Sequence, residues 1–385
     1  MHLDGGWRTR AWLLAILLGG SSVCWGDEFV FKQAGKERKI TGKMLVEAQD
    51  GAMMAVGQDG FIWSIQPDEL VSHKPTGEAF APFDQTKLIE ELTRELPAGF
   101  RFHTTKHYVI GYNTSEAYAE WCGALFERLF MAFTNYWRQK QFPLTEPQYP
   151  MVALVFADRD SFALYARPEL GDAVENIIGY YSFRSNRMTT HDLTGIEALR
   201  APGDRGKASD INRILSRPQA ERTVATIIHE ATHQIAYNCG LQTRYADNPL
   251  WVSEGMALYF ETPDLQSKSG WRSIGSVNQF QLARFVDYAQ RRRAAGSLQS
   301  LLTDDKRLRD PRQSTDAYAE AWALNYFLMQ TRTKQYHEYL KRLSEKPVCI
   351  WDKPEQRLED FKQSFGDLDG LDRDFLRYSS RWLRR

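Results

Sequence analysis

Cysteine is scarce in this chain, with four in 385 residues. Cys24, Cys122, Cys239 and Cys349 are too few for a disulfide scaffold, and none stand at the close spacing of a cysteine zinc knuckle. Lysine plus arginine balances aspartate plus glutamate at 49 each, so a charge excess of one sign is lacking too. That removes the electrostatic argument for nucleic acid or for a strongly acidic partner. Beyond residues 1–26 no apolar run approaches the ~18 residues of a membrane span. Internal repeats and low-complexity tracts are absent as well. What remains has the composition of an ordinary globular protein: 43 % hydrophobic and 25 % charged residues, with 11 tryptophans to build cores. The length sets an expectation of two or three compact units.

Residues 1–26 are expected to direct export. Arg8 and Arg10 form a basic start. Residues 11–20 are an apolar run too short to span a bilayer, and Ser21, Ser22 and Gly26 supply small residues near a cut. The mature protein is therefore expected to be periplasmic, cell-surface or extracellular, without a stable membrane span. A lipid anchor on Cys24 is disfavoured by its Ser-Ser-Val lead-in. The other three cysteines read as buried free thiols.

Residues 27–72 carry the short β-prone runs 29–32, 43–47 and 61–65, parted by Gly35, Gly42, Asp50-Gly51 and Asp59-Gly60. Aspartate–glycine pairs between such runs signal hairpins. The stretch 43–70 resembles a small SH3-like barrel of the Sla1 homology type, which implies an interaction or spacer module with a partner of its own. Residues 73–84, with Pro75, Gly77 and Pro82, read as a linker to a domain over 85–385. In that domain 88–96 predicts a helix, 100–104 and 107–112 predict strands, and 115–140 a long helix. Residues 151–156 predict a buried strand and 176–190 a hairpin. Residues 195–216 read as an irregular loop, and mostly helix follows. The expected fold class is α+β.

The chemistry concentrates in His229-Glu230-Ala-Thr-His233, in a chain with only 8 histidines. Apolar residues at 224, 227, 228, 231 and 235 form one helical stripe. Ser216-Arg-Pro-Gln219 has the form of a capping box, and Gly240 that of a left-handed C-terminal cap. The two histidines then lie about 40° apart in azimuth, one turn from each other, and can meet a single tetrahedral ion. Downstream, Asn248-Pro249 suits the start of a second helix, which puts Glu254 in its second turn as a third ligand. Gly255 and Ala257 are small enough to let that helix pack closely on the first.

This arrangement, His229-Glu230-x-x-His233 with Glu254 in Trp251-Val-Ser-Glu-Gly-Met-Ala257, resembles the gluzincin metallopeptidases. Together with Gly179-Tyr-Tyr181, Asn186-Arg-Met188 and Tyr318-Ala-Glu-Ala-Trp-Ala-Leu324, it is similar to the bacterial domain-of-unknown-function family numbered 1570, grouped with peptidase-MA-like proteins. The resemblance covers much of 85–345. It implies a zincin-like domain, one zinc ion on His229, His233 and Glu254, and hydrolysis of a peptide or protein substrate with Glu230 as general base. Tyr318 is the expected oxyanion donor, with Tyr245 and Tyr259 as rivals.

Thermolysin-type relatives carry an aspartate four residues after the glutamate ligand, where it bonds a zinc histidine. Leu258 stands there in this chain, and Asp247, Glu261 or Glu320 could take over that bond. In zincins an extended substrate adds to the sheet edge before the metal helix, an edge that the 176–190 hairpin could provide. Two other readings stay open: a non-catalytic binding protein on the same scaffold, and a zinc hydrolase of a non-peptide amide.

Overall fold

The computed structural model describes residues 25–195, 208–262, 271 and 274–383. The expected export segment lies outside the described residues, apart from Trp25 and Gly26, which open the first strand. The protein is a mixed α+β chain with two five-stranded sheets. It divides into two compact units. The first holds the described residues up to Glu127, then Glu146–Ile214 and Val348–Ile350; the second holds Arg128–Thr145, Leu215–Pro347 and the chain from Trp351.

Both sheets belong to the first unit. One is built from β1 (Trp25–Gln33), β2 (Lys36–Glu47), β3 (Met53–Gly57), β4 (Ile62–Ile65) and β5 (Leu70–Ala79). All its neighbours are antiparallel and the order is β4-β3-β2-β1-β5, which leaves β4 and β5 as two edges of an open sheet. Phe29, Phe31, Met53, Ala55 and Ile65 form its core. Three of the expected hairpin glycines, Gly35, Gly51 and Gly60, take positive φ of 74°, 85° and 81°. The stretch read as a linker is corrected here, because residues 73–79 continue β5 and pair with β1. Pro75 is tolerated there because an edge strand has one side with no ladder bond to donate.

The second sheet runs β6 (Arg101–Thr104), β7 (Tyr108–Tyr112), β8 (Met151–Phe156), β10 (Arg187–His191), β9 (Gly179–Tyr181). β8 lies parallel to both neighbours and is buried at every position, as a central strand covered on both faces must be. Helices α1 (Gln85–Glu95) and α3 (Arg159–Leu170) bring Leu88, Leu92, Phe162 and Ala166 onto Val152, Leu154 and Phe156. The 176–190 hairpin forms as expected, with β9 as a short edge. α4 (Ala208–Leu215) replaces the described end of the stretch read as an irregular loop. Ile211, Ile214 and Leu215 are buried at one-turn spacing, which makes that segment helical. Residues 196–207 of the same stretch lie outside the described residues.

The second unit is helical. α2 (Glu116–Gln139) ends in it, and α5 (Glu221–Asn238), α6 (Leu250–Phe260), α7 (Gln279–Arg291), α8 (Ser297–Thr303) and α9 (Lys306–Arg309) follow. α10 (Ser314–Thr331), α11 (Thr333–Ser344), α12 (Pro354–Phe365) and α13 (Leu368–Leu383) complete it. The small size of Gly255 serves the contact with α10: a Cβ there would stand 2.0 Å from Asn325 Nδ2 and 2.5 Å from the Ala321 carbonyl. Asn325 is fully buried and donates to the carbonyl of Trp251 at 2.8 Å, which locks α6 onto α10. Cys122, Cys239 and Cys349 are buried, and no disulfide joins them. No helix among the described residues is long and apolar enough to cross a membrane.

Candidate metal centre

α5 is entered through a 3-10 turn over Pro218–Ala220 and has no side-chain cap. The expected capping box at Ser216 does not form, because Gln219 is consumed in that turn instead of standing in the first turn of the helix. The apolar stripe does form: Val224, Ile227, Ile228, Ala231 and Ile235 are all buried. At the far end Gly240 takes φ 74°, and the amides of Leu241 and Gln242 return to the Ala236 carbonyl at 3.0 and 3.2 Å. His229 and His233 thus share one face of a helix fixed at its C-terminal end, with their Nε2 atoms 3.1 Å apart.

α6 starts at Leu250, directly after Pro249, but Asn248 does not cap it. The Asn248 amide is spent on the carbonyls of Thr243 and Ala246. The amide of Leu250 is instead taken by Asp305 Oδ1 at 3.1 Å, from a residue far along the chain. Every residue of α6 is buried except Leu250 and Glu254. Glu254 is therefore a carboxylate on an otherwise apolar helix, and an uncompensated charge there would be strongly destabilising.

Compensation comes from the two histidines. Glu254 Oε2 lies 3.1 Å from His229 Nε2 and 3.7 Å from His233 Nε2. Burial alone would raise its pKa, but the imidazoles outweigh burial and hold the carboxyl well below its usual range. His229 is the counterpart. Burial opposes its protonation, yet Glu254 on one ring nitrogen and Glu261 on the other hold its pKa well above the ordinary value.

Glu261, the first residue past α6, bonds His229 Nδ1 at 3.0 Å. Of the three acidic residues considered for that bond, it is the one that makes it. Asp247 is taken by Arg357, and Glu320 by Arg293 and Arg307. Tyr318, on α10, comes to the same centre. The Glu254 carboxylate, which its hydroxyl bonds, pushes the tyrosine pKa well up, with burial and then Glu230 adding to the effect. Glu230 itself is half-buried beside His229. Tyr259 goes elsewhere: its hydroxyl pairs with Tyr136 and Gln330, each at 3.2 Å. Tyr245 stands in the connection between the two helices with a left-handed φ of 60°.

Among the described residues, His229, His233 and Glu254 are the one group of three metal-ligating side chains whose donor atoms lie within 4.8 Å of one another. A tetrahedral zinc ion with bonds of about 2.0–2.1 Å sets neighbouring donors about 3.3 Å apart. The observed separations of 3.1, 3.1 and 3.7 Å fit that tetrahedral edge. With Glu261 on Nδ1, a neutral His229 ring would have its Nε2 lone pair to offer a metal ion. The sequence pattern thus pointed to the three side chains that come together here. It left Glu261 as one option of three, and it held no signal for Asp305.

No match to the chain is found among curated proteins. Residues 223–349, which include His229, His233, Glu254 and Tyr318, match the family described as "Protein of unknown function (DUF1570)", the family to which the motifs pointed.

Proposed function

We propose that the protein is an exported zinc metallopeptidase, with a zincin-like catalytic domain and an N-terminal β unit that serves as a barrel-like interaction module. The observation that carries this reading is the convergence of His229, His233 and Glu254 at tetrahedral spacing, with Glu230 next to the first histidine. Zinc bound there would supply a Lewis acid that acidifies water and polarises a carbonyl. Glu230 takes the proton of the attacking water and returns it to the leaving amine. With Glu254 on the ion, the Tyr318 hydroxyl would turn from that carboxylate and donate its one hydrogen bond to the oxygen that gains negative charge. Its raised pKa keeps the hydroxyl protonated at neutral pH, as a donor requires. Glu261 orients His229. A pure binding protein has no use for a base at position 230, which favours the enzyme.

The test is metal content together with turnover. Elemental analysis of the purified chain should find about one zinc per chain, and Glu254→Ala should lose it. A peptide library should be cut by the parent and not by zinc-loaded Glu230→Gln. A parent that takes up no zinc after reconstitution overturns the proposal. Zinc without cleavage of any peptide moves the reading to a binding protein, or to a hydrolase of another amide.

A further inference from the structure

Helix α12 lies outside the matched stretch, yet one of its side chains reaches the start of the second metal-facing helix. Arg357 is 8 % exposed. Its Nε and Nη2 form a fork on Asp247 at 3.0 and 2.5 Å, and its Nη1 reaches Asp305 Oδ1 at 3.0 Å. That same oxygen accepts the amide of Leu250, the first residue of α6. Asp247 is 1 % exposed and stands three residues before α6. One guanidinium therefore joins the chain entering α6 to the carboxylate that caps it. Pro249, the residue at the cap position, makes no such bond itself. Glu254 follows one turn later, about 6 Å along the axis.

From this geometry we infer that Arg357 is a positioning residue for the metal centre: by tying Asp247 to Asp305 it fixes the first turn of α6, and with it the stance of Glu254 toward His229 and His233. The inference rests on reading Glu254 as a metal ligand. Arg357 shares the charge of Asp247 with Lys346, which lies 3.7 Å from Asp247, 3.1 Å from Asp360 and also pairs with Asp352, but no contact of Lys346 reaches Asp305 or α6. What Arg357 adds is shape. Three of its nitrogens engage two carboxylates at once, which a lysine ammonium on a flexible stem cannot reproduce.

The test compares Arg357→Lys in the full chain with Arg187→Lys. Arg187 is an equally buried arginine that pairs with Glu95 in the first unit. Zinc affinity is measured by chelator competition, and the visible spectrum of the cobalt-loaded chain reports the coordination geometry. Arg357→Lys should bind zinc about tenfold more weakly and change the cobalt spectrum, with native circular dichroism. Arg187→Lys should change neither. Unchanged affinity and spectrum in Arg357→Lys overturn the inference while the metal reading stands. An equal loss in Arg187→Lys also overturns it, since general loosening would then suffice. A parent without zinc removes the metal reading and the inference with it. If Arg357→Lys does not fold, Asp305→Asn takes its place: it keeps an acceptor for Leu250 but loses the charge that holds Arg357. A smaller loss of affinity is expected there, and no loss overturns the inference.

Discussion

Two glutamates of the helical unit, the fully buried Glu320 and the half-buried Glu254, differ in what holds them. Glu320 is fully buried and accepts from Arg293 Nε and Arg307 Nη1, each at 2.8 Å, and from Ser297 Oγ. Glu254 faces two imidazoles and a phenol. A guanidinium stays charged and has no lone pair to offer a metal. An imidazole can shed its proton and turn a lone pair toward an ion. A carboxylate largely withdrawn from water is common to both sites, so that alone does not mark function. What separates them is whether the partners can be exchanged for a metal, and only those of Glu254 can.

The comparison can be broken by substitution. The largest effect is expected at the base beside the exchangeable site. Glu230→Gln should lower peptide turnover by about 10²–10⁴-fold while zinc content stays at the parental level. Parental turnover in that variant would remove Glu230 from the mechanism. Next comes the pair itself. Glu320→Gln leaves Arg293 and Arg307 facing a neutral amide and should cost about 3–5 kcal/mol of unfolding free energy, read by chemical denaturation. The zinc bound per folded chain should not change. Glu254→Gln should do the reverse, abolishing stoichiometric zinc with a smaller change in the stability of the metal-free chain. If Glu320→Gln loses zinc as completely as Glu254→Gln, the distinction between the two carboxylates collapses.

Much of this contrast was legible in the sequence, because it rests on local periodicity. The spacing of His229 and His233, the apolar stripe around them, Gly240 and the position of Glu254 after Pro249 are all set within a few helical turns. What was not legible depends on distant partners. Asp305 takes over the capping that Asn248 was expected to perform, from 55 residues away. β5 forms in spite of Pro75 and Gly77 because β1 offers it a ladder. Glu261 could not be told from Asp247 and Glu320, since the sequence marks all three only as acidic residues. The choice was made by the arginines that claim the other two.

Glu261 gives the smallest and sharpest test, because its carboxylate does two opposing things to His229. It orients the ring for a metal, and it helps to hold a proton on the metal-free ring. The ordinary imidazole pKa is 6.5, and His229 lies well above it. Folding therefore favours the protonated ring. That contribution to the stability of the metal-free chain is fully present below pH 6.5 and fades as pH rises through the raised pKa. Zinc requires the neutral ring, so binding must expel the proton. At about pH 7.5, calorimetric titration in buffers of different ionisation enthalpy should report proton release on zinc binding that includes the proton of His229. In Glu261→Gln the His229 pKa falls toward its ordinary value, and the release should shrink. Zinc affinity should drop about 10–100-fold where proton competition is absent, above the raised pKa. Nearer neutral pH the gap to the parent should narrow, because the variant no longer has to displace a tightly held proton. A gap independent of pH would show that Glu261 does not set the protonation of His229. No such linkage exists at Glu320, whose guanidinium partners have no proton to exchange in this range.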